Sequence, residues 1–213
     1  MYEMSTLKRN PYHHGDLRST LIAMALETIE QEGPEQLALR TLAQRAGVSG
    51  MAPYRHFADK ASLLEAVARQ GFAELRDEMR AVEDADPTKA LVAFGVVYVR
   101  FACARPGLFR LMFGGPPPTP GEQLAETPGT VFELLSNCVA QLVPPSRRQI
   151  TLLACWSIVH GLASLLVSGR IRPPIPPPAE LAESLGKMLM RGILEWRGIS
   201  GARTKGAAAT KWS

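Results

Sequence analysis

The chain has 213 residues, 46% of them hydrophobic, enough for one domain or two small ones with a sizeable core. Its net charge of +4 is too modest to define a partner alone, and no charged-then-apolar leader pattern opens it. The three cysteines, Cys103, Cys138 and Cys155, are widely spaced with no C-x-x-C, which excludes the common metal and redox motifs and fits a reducing cytoplasm.

No stretch alternates apolar and polar residues as strands do, so the spacing predicts an all-α chain of about nine helices. Residues 1–15 form a predicted flexible arm carrying Lys8 and Arg9. Residues 16–32 form the first predicted helix, with Asp16 as N-cap and Leu17, Leu21, Ala25 and Ile29 as its buried stripe. Gly33-Pro34 ends it. A second helix spans 39–46, with Leu39, Leu42, Ala43 and Ala46 inward and Gly47 at the left-handed position beyond its end. Ser49 is placed to cap a short third helix containing Pro53 in its first turn, where a missing N–H costs little. Asp59 caps a fourth, with Leu64, Ala68, Phe72, Leu75 and Met79 at helical spacing.

Past Asp86-Pro87, Leu91, Phe94, Tyr98 and Phe101 mark one helix face and Val92, Val96, Val99 and Cys103 another, which predicts a buried helix. Pro106 interrupts it, and "PGLFRLMF" continues as a short aromatic helix. Proline-rich linkers, "GGPPPTPG" at 114–121 and "RIRPPIPPP" at 170–178, bracket two more helices, one striped by Phe132, Leu135, Val139 and Leu142 and one over 146–168. Leu181, Leu185, Met188, Gly192 and Trp196 stripe the last, and the tail from 199 is predicted disordered. Charge is uneven. Glu27, Glu30, Glu32 and Glu35 form an acidic end, and Arg40, Arg45, Arg55 and Lys60 a basic one, which either orients the domain on a polyanion or is an ordinary solvated face.

Two short helices meeting at "AGVS" within a small bundle make a helix-turn-helix. The run "LALRTLAQRAGVSGMAPYRHFADKASLLEAV" resembles the DNA-binding domain of the TetR family of bacterial repressors over about residues 12–75. "YHHGDLR" (12–18), "YVRFACARPGLFRLMF" (98–113) and "WSIVHG" (156–161) resemble one subgroup of that family, marked by a Trp-x-x-x-His-Gly signature. The resemblance implies an N-terminal DNA-binding domain over 16–60 and a C-terminal helical ligand-binding and dimerisation domain over 61–198.

The residues themselves allow DNA roles. Gly50 permits close backbone approach, and Met51 and Ala52 can touch a thymine methyl. Tyr54 and His56 can hydrogen-bond phosphate, Arg55 can bind phosphate or guanine, and Lys60 adds charge beside a helix N-terminus. Ser49 lies in the same run. The resemblance places Tyr54, His56 and Lys60 at positions that commonly meet the DNA backbone. It places Ala38 where Ser or Thr usually caps the second helix and touches phosphate, leaving Arg40 or Thr41 to compensate. Phe57 reads as core. Tyr54 reads either as a phosphate contact or as packing, and Lys8 and Arg9 either as a minor-groove arm or as a plain unstructured start.

Residues 149–169 carry no charge over 21 positions, long enough for a bilayer. Arginines on both sides and several polar residues favour a helix buried in a dimer instead. Ala154, Ser157, Gly161, Ser164 and Ser168 recur at steps of three and four and permit close helix packing. With Leu185, Leu189 and Trp196 of the last helix they resemble the family's dimer face. Trp156 and His160, with Tyr98, Phe101, Phe109 and Met112, line a mostly apolar ligand cavity, or are core residues. The partners read are a pseudo-palindromic duplex, a small-molecule effector and a second copy of the chain, with no membrane, no cofactor, no metal and no catalytic set. The rivals to a cytoplasmic, ligand-released repressor are a helical-cavity enzyme and an adaptor that has lost operator binding.

Overall fold

The computed structural model describes residues 17–114, 130–171 and 176–196. Asp16 as a cap, the basic arm with Lys8 and Arg9, most of the first proline-rich linker, residues 172–175 of the second and the tail lie outside them. The described residues hold eight α-helices and no strand: α1 (Leu17–Glu32), α2 (Leu39–Arg45), α3 (Lys60–Arg80), α4 (Pro87–Ala104), α5 (Pro106–Phe113), α6 (Val131–Leu142), α7 (Pro145–Val167) and α8 (Pro178–Glu195). The all-α expectation holds. The count falls one short of nine because the expected third helix is a short 3-10 turn, Pro53–Arg55.

The chain forms two compact units. Of the described residues, one comprises those up to Gly71 together with 107–114, so that α5 packs with the N-terminal helices. The other comprises Phe72–Pro106 and the described residues from 130 onward.

In the first unit α1 buries Leu21, Ala25 and Ile29, as their spacing requires. Its C-terminal glycine, Gly33, takes φ +90° and leads into a 3-10 turn, Pro34–Gln36. The end of α2 is a complete Schellman motif. Val48 N–H donates to Ala43 C=O (3.0 Å), Gly47 N–H donates to Gln44 C=O (3.1 Å), and Gly47 sits at φ +69°. Its start is poorer: Ala38 is the N-cap, with extended backbone and no side-chain bond to the first N–H groups. Ala38→Thr should therefore stabilise the fold by about 1 kcal/mol in urea denaturation. No gain would show that water already satisfies those donors. By contrast, α3 begins with a reciprocal cap, Ser62 N–H to Asp59 Oδ1 (2.8 Å) and Asp59 N–H to Ser62 Oγ (3.2 Å).

The buried stripe of α3 starts one residue earlier than its spacing suggested. Leu63 and Val67 are buried, whereas Leu64 and Ala68 are only half-buried; Leu75 and Met79 are inward as expected. Adjacent apolar pairs at 63–64 and 67–68 fit either register, and packing decides between them.

In the second unit α4 packs against α6, α7 and α8. It is capped by Asp86, whose Oδ1 accepts from Thr88 N–H at 2.8 Å. Leu91, Phe94, Tyr98 and Phe101 are buried as read, and Val99 with them; Val92 and Val96 are half-buried and Cys103 is exposed. The apolar stripe of α8, read in sequence with the dimer face, is not the face buried within the chain. Met188 is 66% exposed, and the buried residues are Ala182, Met190 and Ile193. Gly186 lies so close to Val92 of α4 that a Cβ there would meet it at 3.3 Å. Small residues let α8 approach α4 closely, and Met188 turns away. The guanidinium of Arg147 closes the end of α8, donating to Ile193 C=O (2.5 Å) and stacking 4.7 Å from the Trp196 ring. Both α4 and α7 are long and apolar enough to cross a membrane by length and composition, and the two pack against each other within this unit.

Candidate functional site

Two groups of residues stand out, one in each unit. In the first, the segment between the Schellman end of α2 and the cap of α3 is held by short-range bonds. Ala52 N–H donates to Ser49 C=O (2.9 Å), Arg55 N–H to Ala52 C=O (3.2 Å), and His56 and Phe57 N–H both to Pro53 C=O (2.9 and 3.0 Å). Ser49 thus enters through its backbone carbonyl. Gly50 has open space around it, and Pro53, which lacks an N–H, opens the 3-10 turn Pro53–Arg55. The result displays side chains outward from a rigid base. Met51 is 68% exposed and Tyr54 40%; Arg55 and His56 are exposed and Ala52 is half-buried. Tyr54 is thus exposed in part, with the rest of its surface covered within its own unit. Phe57 is buried beneath the Arg18 guanidinium, 5.4 Å from its ring centroid.

Arg40 and Thr41, in the first turn of α2, are exposed. Lys60, in the first turn of α3, donates through Nζ to the Glu35 carbonyl at 2.9 Å. This bond ties the start of α3 to the turn preceding α2, so a cation stands beside helix N-termini that already favour anions. The split between an acidic and a basic end is corrected here. Arg45 donates to Glu27 Oε2 (2.5 Å) and to Thr28 Oγ1 (3.0 Å), so this basic residue is spent inside the unit. Separation along the chain is not separation in space, because α2 folds back onto α1. The outward cations of the segment are Arg40 and Arg55, with Lys60 half-buried.

The second group lies between α4, α6 and α7. Tyr98, 4% exposed, hydrogen-bonds through its hydroxyl to His160 Nδ1 at 2.8 Å. Trp156 lies 5.9 Å from the His160 ring, and Phe132 meets Trp156 edge-on at 5.2 Å. Burial pushes the Tyr98 phenol far above its ordinary value, a hydrogen bond from Trp156 partly opposing it. An indole N–H can only donate, so it uses the Tyr98 oxygen as acceptor, while the Tyr98–His160 bond can be made with either partner as donor, according to the imidazole tautomer. Burial lowers the His160 pKa, so the cluster is uncharged.

That shift has a sign. As pH falls below about 6.5, the unfolded chain takes up a proton before the folded one, so acid removes stability. The stability difference between wild type and His160→Asn should shrink as pH is lowered from about 8 to 5, followed by thermal unfolding. A constant difference would deny His160 its buried neutral state.

Phe132 reads in sequence only as part of a helix stripe; its packing on Trp156 is what joins it to this cluster. Of the six expected lining residues, Tyr98, Trp156 and His160 are in contact in this cluster. Phe101 is buried in the second unit with Arg105 5.6 Å from its ring centroid, while Phe109 and Met112 belong to the first unit. There Phe109 stacks on Phe113 at 5.0 Å, and Met112 lies over Gly71, where a Cβ would meet its sulfur at 2.6 Å. Burial raises all three thiols, that of Cys155 to about 11, which makes them protonated small hydrophobes.

On α7, Ser157 and Ser168 are exposed, while Ala154, Gly161 and Ser164 are half-buried. Beside that row Ile150, Leu153, Ile158 and Leu165 are exposed apolar residues, as are Met188 and Leu194 on α8. Leu185, Leu189 and Trp196 are half-buried.

A helix-turn-helix unit joined to a second, all-helical unit defines a class of two-unit helical regulators. Residues 21–67 match the model of bacterial regulatory proteins of the tetR family, and residues 91–189 match that of the tetracycline-repressor-like C-terminal domain. A protein of unknown function from Rhodococcus sp. RHA1 is 33% identical, covers 86% of this chain and 98% of its own, and superposes with a TM-score of 0.74. A TetR variant from Acinetobacter baumannii AYE in complex with minocycline is 23% identical over 82% of this chain and 94% of its own (TM-score 0.60). The TetR-family regulator PfmR from Thermus thermophilus is 21% identical over 80% and 97% (TM-score 0.59). No curated protein matches the chain. The chain belongs to the TetR family and has that family's transcriptional-regulator fold.

Proposed function

We propose that this protein is a cytoplasmic, homodimeric, ligand-responsive repressor that leaves a pseudo-palindromic operator when a small molecule binds. The observation that carries this reading is the outward display of Met51, Tyr54, Arg55 and His56 from a turn sealed at both ends. On it Met51 and Ala52 serve base methyl groups. Tyr54, His56, Thr41, Ser49 and Lys60 serve phosphate, Gly50 admits the backbone, and Arg55 and Arg40 supply the cations. The effector is uncharged or weakly polar and partly hydrophobic, because the Tyr98–Trp156–His160 cluster is aromatic and neutral. We assign the second unit to the Trp-x-x-x-His-Gly subgroup on its "WSIVHG" run. The exposed apolar residues beside the small row of α7, with α8, form the dimer face.

The test is selection of bound sequences from random duplex DNA. Two half-sites roughly 34–36 Å apart are expected, one per recognition segment of a dimer. Lys60→Ala should weaken binding to all sequences alike and reduce the salt slope by about 1. An unchanged slope would leave Lys60 to its Glu35 bond alone. Enrichment of no sequence at all would remove the repressor reading.

A further inference from the structure

One turn of α1 grips two elements at once. Glu27 and Thr28 accept from the guanidinium of Arg45, the last residue of α2. Two residues on, Glu30 accepts from both amides that open α5, Gly107 N–H to Oε2 (2.9 Å) and Leu108 N–H to Oε1 (2.8 Å). Pro106 has no N–H, so these are the first two donors α5 possesses, and helix-opening donors have no partner within their own helix. A carboxylate there also meets the positive end of the helix dipole. The seat is tight. A Cβ at Gly107 would lie 2.7 Å from the Ile29 carbonyl oxygen and 3.1 Å from Glu30 Cα.

We propose that Glu30 is a positioning residue for operator binding. By seating α5 on the last turn of α1, it fixes the turn that holds Arg45 and hence the orientation of α2 and the recognition segment. This rests on the regulatory reading above. None of the clamp atoms belongs to the DNA-facing set, so the effect is exerted at a distance.

The test uses the full chain without effector, an operator selected from random duplex DNA, and amide hydrogen exchange. Glu30→Gln and Glu32→Gln remove the same charge two residues apart, and Glu32 is exposed at the end of α1. On charge alone both should tighten binding to a polyanion. Glu30→Gln should instead raise the operator dissociation constant about tenfold, within the usual range for coupled sites, and speed exchange at Gly107 and Leu108. Glu32→Gln should do neither. Glu30→Asp keeps the charge but, one methylene shorter, cannot span both amides, so it should weaken binding in the same direction while remaining folded. If both Glu30 variants bind the operator as tightly as wild type, the proposal is overturned, even where exchange quickens, because the clamp is then only structural. If wild type itself binds no duplex, the repressor reading falls and takes this one with it.

Discussion

Gly107→Val is expected to destabilise the protein by about 3 kcal/mol, at the upper end of ordinary overpacking. The obstacle is chiefly the backbone of α1, at the Ile29 carbonyl and Glu30 Cα. The new Cβ would meet the Ile29 carbonyl at 2.7 Å, and no rotamer change can remove a carbonyl oxygen from inside a helix. Relief requires α5 to lift from α1, which also breaks the two amide bonds to Glu30. Urea denaturation followed by far-UV circular dichroism would measure the loss. A midpoint within error of wild type would mean that α5 is not seated as described.

Gly161→Leu should have the opposite character. A Cβ at Gly161 meets nothing within 4 Å, so the isolated chain has room for a side chain to start there. In a dimer packed through the small row of α7, the same leucine would force the helices apart. Overpacking costs about 1–3 kcal/mol, and a two-fold axis counts it twice. The dimer dissociation constant should therefore rise by at least about tenfold, since each 1.4 kcal/mol is a factor of ten. Far-UV circular dichroism should stay unchanged and sedimentation should shift toward monomer. An intact, unweakened dimer would place Gly161 off the interface, whereas a misfolded chain would contradict the open space around it.

Helix positions are largely legible in the sequence because a buried stripe repeats at a fixed period and the ends carry their own chemistry. Gly47 and Asp59 act at the positions their residue types imply. What escapes depends on partners. The α3 register is ambiguous between Leu63 and Leu64 until packing chooses. On α8 the deciding residues are Ala182 and Gly186, whose smallness sets the approach to α4 and which hydropathy alone ranks below Leu185 or Met188. The apolar character of Phe109 and Met112 does not say which unit their helix joins, and α5 falls in the first. Glu30 is one acid in a run of four, and only the arrival of two amides from 77 and 78 residues away gives it a task.

The two sealed ends around the recognition segment make it a replaceable cassette. A Schellman motif stops α2 at Gly47 and a reciprocal cap starts α3 at Asp59, each closing its own hydrogen bonds without help from residues 49–56. Exchange of those eight positions for another segment of equal length that keeps Pro53 leaves both junctions intact. Target preference can then drift by point substitution at Met51, Ala52 or Arg55 while the scaffold stays fixed. An insertion would leave both seals closed but would shift the outward side chains between them.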